Sequence, residues 1–111
     1  MTSINRATFD ELKQISGVEF IDELIDTFLD DAPRMFEELT SALRSGDADS
    51  FRRAAHSLKS NAATFGASQL AELAKELEGI GRENRLGETG DRLNVLKEAL
   101  ASACEELKGL K

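Results

Sequence analysis

Residues 47–66 read DADSFRRAAHSLKSNAATFG. Within this stretch the apolar side chains fall at Phe51, Ala54, Ala55, Leu58, Ala62 and Phe65. At about 100° per residue they occupy an arc of about 100°, the buried stripe of an amphipathic helix. Asp47 suits an N-cap, and Gly66 suits a stop in which the backbone turns left-handed. The chain's only histidine, His56, falls about 150° from the centre of the stripe and therefore faces water. Its neighbours away from the stripe are Arg52, Arg53, Lys59, Ser60 and Ala63, and no acidic residue occurs between positions 51 and 71.

The same periodicity extends to both sides. Thr8 and Glu11 have capping-box spacing, which predicts a short leading helix carrying Phe9, Leu12 and Ile15 and stopped at Gly17. A long helix is expected from about Val18 to Ser45. Ile21, Leu24, Ile25, Phe28, Ala32, Met35, Phe36, Leu39 and Leu43 recur along it at intervals of three and four. Pro33 lies inside that run. The rhythm resumes in phase after it, so the helix is expected to continue through a bend. Gly46 ends it. After Gly66 a fourth helix turns Leu70, Leu73, Ala74 and Leu77 inward, and the glycine-rich stretch 79–90 is expected to be the longest connection. A last helix carries Leu93, Leu96, Leu100, Ala103, Leu107 and Leu110. Short connections make consecutive long helices antiparallel. The expected fold is all-α, an up-down-up-down four-helix bundle with a short N-terminal helix, and residues 1–111 form one domain.

Composition narrows the function. The chain has 111 residues, 41% apolar and 32% charged, with one proline, which suits a globular helical protein. All of its aromatic residues are Phe, so an aromatic-lined sugar or nucleobase cleft is not expected. A net charge of −7 argues against nucleic-acid binding and against docking on anionic membranes. No charge-free stretch is long enough to span a bilayer, and the N-terminus lacks a basic segment followed by an apolar run. Cys104 alone can form neither an internal disulfide nor a multi-cysteine zinc site. A reducing cytoplasm is the expected location.

In an acidic chain, then, one helix face is basic and centred on an exposed imidazole. A neutral imidazole nitrogen is a nucleophile near neutral pH. Cations one turn away stabilise the negative charge of a phosphoryl group that it accepts, each by about 0.2–1 kcal/mol at an exposed site. Ser60 and Ala63 are small and leave room for a partner to approach. Nothing on this helix can orient the imidazole as a carboxylate would, or hold a metal, so magnesium, acid and base are expected from the partner. Lys59, as a surface cation, is expected to matter for transfer and hardly for thermal stability.

The run His56-Ser57-Leu58-Lys59-Ser60, with Gly66 following, resembles the His-x-Leu-Lys-Gly motif of histidine phosphotransfer (HPt) domains, and the resemblance extends over essentially the whole chain. It implies a four-helix bundle whose His56 exchanges phosphoryl groups with aspartates of response-regulator receiver domains, assisted by Lys59. It further implies a sensor or hybrid histidine kinase upstream, Mg2+ supplied by the receiver, and no bound cofactor, metal or kinase activity of its own. Arg52, Arg53, Ser60 and Ala63 are the expected partner-binding residues and Gly66 a structural one. Ser60 stands where the family often has glycine. A scaffold bundle without phosphate chemistry is one rival. Another, a metal-dependent hydrolase, would need inward carboxylates with Glu-x-x-His spacing, which the chain lacks.

Overall fold

The computed structural model describes residues 4–111. Met1, Thr2 and Ser3, which open the expected 1–111 domain, lie outside the described residues. The helices are α1 (Arg6–Ser16), α2 (Val18–Ser45), α3 (Ala48–Thr64), α4 (Ser68–Arg82) and α5 (Arg92–Gly109), with a 3₁₀ turn at Leu86–Glu88, and no strand occurs among the described residues. Helices α2 to α5 contact one another in a closed ring, α5 returning to α2, while α1 lies against α2 and α3. This is a four-helix bundle with a short leading helix.

The core is the set of stripes that the periodicity marks. Ile21, Ile25, Phe28, Ala32, Met35 and Leu39 of α2 meet Phe51, Ala54, Ala55, Leu58 and Ala62 of α3, Leu70, Ala74 and Leu77 of α4, and Leu96, Leu100, Ala103 and Leu107 of α5, all buried. Each fully buried Leu, Ile or Phe contributes about 1.5–3 kcal/mol relative to exposure. Phe28 and Phe65 pack ring on ring at 5.3 Å, tying α2 to the end of α3. Helix α2 runs unbroken through Pro33, whose side chain lies on the exposed face.

Two boundaries differ from the sequence expectation. Helix α1 starts a turn earlier than the Thr8–Glu11 spacing suggests: Asn5 is its N-cap, its side-chain oxygen accepting from the Thr8 amide at 3.2 Å. Asn5 is also fixed from outside, since its own amide donates to the Gly66 carbonyl at 2.7 Å. That tertiary tie selects Asn5 over the later cap, and Ile15 ends up exposed.

Helix α4 also continues through Gly79, Ile80 and Gly81 to Arg82, where the sequence suggests a connection. Ile80 and Gly81 are buried there, so packing against α3 outweighs the low helix propensity of two glycines. The pair α3 and α4 makes the most extensive helix–helix contact in the molecule.

Candidate functional site

Helix α3 starts with Asp47, whose carboxylate accepts from the Ser50 amide at 3.1 Å and from the Ser50 hydroxyl at 2.7 Å. These bonds hold the Asp47 carboxyl below its ordinary range. Just beyond the end of the helix the chain turns left-handed at Gly66, with φ of 80°. A Cβ there would approach Asn5 O to 2.8 Å and Thr8 Cβ to 3.0 Å, so both the left-handed turn and the docking of α1 require glycine. Between these ends the helical phase puts Leu58 in the core and His56 outside: the His56 side chain is 56% accessible.

The imidazole is nonetheless anchored. His56 Nδ1 lies 2.6 Å from Oε2 of Glu78, a residue of α4 whose side chain is only 4% accessible. Lys59 Nζ donates to the other oxygen of the same carboxylate, Oε1, at 2.7 Å. Arg82, one turn along α4, brings Nη2 to 3.6 Å from Oε2. One buried carboxylate thus holds the histidine and the lysine, with a second cation at its edge.

The hydrogen bond from Lys59 is the main cause that holds the Glu78 carboxyl below the ordinary range. Burial pushes the other way and is outweighed, and the His56 bond adds to the lowering. Glu78 is therefore an anion at neutral pH and can only accept hydrogen bonds. A neutral imidazole within 2.6 Å of it must carry its proton on Nδ1, which leaves the lone pair on Nε2.

The other expected site residues divide. Arg52 and Arg53 both turn toward Asp49, at 2.9 Å and 3.2 Å, rather than toward the imidazole. Ser60 and Ala63 are exposed beyond His56 on the same helix. The basic face is thus less unopposed than the sequence suggests: Asp49 faces it from the first turn and Glu78 from the neighbouring helix. The expectation that nothing on α3 itself orients the imidazole holds, and the carboxylate at the ring comes instead from the neighbouring helix, as Glu78 of α4. A signal for it existed, because Glu78 follows Ala74 by four residues and precedes Gly81 by three, a charged residue in the inward phase of α4. Among the described residues no cluster of His, Cys, Asp and Glu could hold a metal ion, and no helix is long and apolar enough to cross a membrane.

Comparison with known proteins bears on the family and the fold. The family model described as Hpt domain matches residues 23–108. The phosphorelay protein LuxU of Vibrio harveyi is 31% identical over 87 residues, covering 78% of this chain and 76% of LuxU. The crystal structure of histidine-containing phosphotransfer protein B (HptB) from Pseudomonas aeruginosa PAO1 superposes with a TM-score of 0.89 at 28% identity, covering 96% of this chain and 92% of that one. The HPT domain of a sensor hybrid histidine kinase from Shewanella has the same fold, with a TM-score of 0.80 at 17% identity over 97% of this chain and 92% of that domain. The chain belongs to the Hpt domain family, and it is a phosphorelay phosphocarrier that passes phosphoryl groups between receiver domains without ATP-dependent kinase activity of its own.

Proposed function

We propose that Nε2 of His56 is the atom that carries the phosphoryl group. The observation that supports this most is the 2.6 Å contact between Nδ1 and the buried carboxylate of Glu78, made by a ring that is otherwise more than half accessible. The lone pair of Nε2 attacks the phosphorus of a receiver's aspartyl phosphate. The bond between phosphorus and the aspartyl oxygen breaks, and that oxygen leaves as carboxylate. No proton has to move, because Nδ1 keeps its hydrogen and the ring becomes a phosphorylated imidazolium. Glu78 stabilises the positive ring, and Lys59 and Arg82, the cations gathered on that carboxylate, offset the added negative charge. Onward transfer is the same step reversed onto a second receiver.

Around this centre Arg52 and Arg53 supply positive surface for the docking of an acidic receiver pocket, and Ser60 and Ala63 keep the approach open. Mg2+ comes from the receiver. A sensor or hybrid histidine kinase stands upstream, residues 1–111 act as one phosphotransfer domain, and the protein works in the cytoplasm. Gly66 contributes through the fold alone.

The test is to mix the purified protein with a phosphorylated receiver domain and to look for acid-labile, base-stable phosphate. The wild type should label and His56→Gln should not. A His56→Gln protein that labels as well as wild type removes His56 from the mechanism.

A further inference from the structure

The carboxylate of Glu78 reaches His56 only if α4 lies close to α3, and one residue governs that distance. Gly81 is three residues after Glu78 on α4, and it sits against the backbone of α3 one turn before His56. A Cβ at Gly81 would come to 2.9 Å from the Arg52 nitrogen and to 3.0 Å from both the Arg52 Cα and the Ala48 carbonyl oxygen. All three are backbone atoms of a helix and cannot swing aside, so any side chain here forces the two helices apart. Gly79, two residues earlier on the same helix, has nothing within 4 Å of its would-be Cβ. The two glycines therefore differ in what they do: Gly79 is open, and Gly81 is the point where the two backbones touch.

We propose that Gly81 is a positioning residue for phosphoryl transfer: the close α3–α4 crossing that it permits sets the reach of Glu78 to His56 Nδ1. The inference rests on the reading that Glu78 holds the Nδ1–H form of the ring. A widening of a few tenths of an ångström at Gly81 is passed one turn along a stiff helix to a hydrogen bond that stands at 2.6 Å. The same displacement tilts the carboxylate off the N–H axis, and a hydrogen bond weakens steeply as its angle closes. The ring then loses its preference for the Nδ1–H form, and the share of molecules with a free Nε2 lone pair falls.

The experiment uses the full chain labelled with ¹⁵N at histidine. Its single histidine gives an unambiguous imidazole spectrum, read as a function of pH, and initial transfer rates are taken with a phosphorylated receiver. Gly79→Ala is the control and should leave both readouts at wild-type values. Gly81→Ala should lose the Nδ1–H signature and slow transfer about tenfold, in line with the sensitivity of such reactions to sub-ångström misplacement. The double variant Gly79→Ala/Gly81→Ala, in which the first change adds helix propensity without touching α3, should give the same two changes in a better-supported helix. Folding is followed by circular dichroism. Failure of both Gly81 variants to fold overturns the proposal, since the glycine would then be a requirement of folding rather than of the site. So does a folded Gly81→Ala protein with a wild-type imidazole spectrum. Glu78→Ala separates the two levels of the argument. If it shifts the spectrum and Gly81→Ala does not, only the spacing role fails; if Glu78→Ala itself changes nothing, the reading of the site beneath it fails.

Discussion

Glu78 joins His56 to Lys59: its two carboxylate oxygens lie 2.6 Å from His56 Nδ1 and 2.7 Å from Lys59 Nζ. The nucleophile and the cation beside it are thus fixed by one buried anion on a different helix. Replacing Glu78 by Gln keeps an acceptor for Nδ1 but removes the negative charge that stabilises a phosphorylated, positively charged ring. Glu78→Gln should therefore label more slowly and lose phosphate faster than wild type, by about tenfold if one hydrogen bond to a charged group is weakened by about 1.4 kcal/mol. Rates of gain and loss of label from a phosphorylated receiver measure this directly, and wild-type rates in both directions would count against a role for the charge.

Lys59 is more than a surface cation, which revises the expectation that its loss leaves stability untouched. Its ammonium is the main partner of a carboxylate that is 4% accessible, while its own side chain is 31% accessible. Truncation to Ala leaves Glu78 buried with His56 and, at its edge, Arg82 as its remaining partners. Breaking a fully buried pair costs about 3–5 kcal/mol, and the partial exposure of Lys59 reduces that to about 1–2 kcal/mol here. Lys59→Ala should lower the thermal midpoint as well as slow transfer, whereas Lys59→Arg should keep most of both. Thermal melts and transfer rates of the two variants provide the check.

The pH dependence follows from the direction of the Glu78 shift. Its carboxyl is lowered from an ordinary value of 4.5 by Lys59 and, to a lesser degree, His56. An acid whose folded pKa lies below its unfolded one binds fewer protons when folded. Its contribution to stability is fully present above the unfolded value and is lost as pH falls through the folded one. The difference in melting temperature between wild type and Glu78→Gln should accordingly narrow progressively as pH falls below 4.5. Asp47 is lowered by Ser50 and titrates in the same sense, but it is common to both proteins and cancels in the comparison. A difference that widens on acidification would reverse the assigned sign.

How much of this was legible in the sequence depends on whether a feature is local. The phase of α3 puts Leu58 in the core and His56 outside, and helical periodicity alone predicts both. Gly46, Asp47 and Gly66 mark their boundaries because left-handed turns and caps are chemistry of one or two residues. Glu78 is 22 residues from His56 in the chain, so no reading of α3 by itself could pair them. Its place in the inward phase of α4 was the available clue, and it was masked because Gly79 and Gly81 read as the start of a loop. Those glycines are helical because packing on α3 favours close backbone approach over intrinsic propensity. At the other end, Asn5 displaces Thr8 as the cap through a bond to Gly66, a contact that only the folded chain possesses.

Asp49 offers a way to test the docking face separately from the chemistry. It sits in the first turn of α3 and binds both Arg52, at 2.9 Å, and Arg53, at 3.2 Å. In this arrangement it competes with any acidic receiver for the two guanidinium groups. Asp49→Ser should free them. It should also remove a favourable charge from a helix N-terminus, a loss of about 0.3–1 kcal/mol in stability. Because these are exposed rim charges, the gain in binding should appear in the association rate, by about two- to fivefold at low ionic strength, and fade as salt screens it. Stopped-flow association with a receiver domain across a salt series tests this. The spectrum of His56 should remain that of wild type, because Asp49 touches neither Glu78 nor the ring. Unchanged association at low salt would mean that Arg52 and Arg53 take no part in docking.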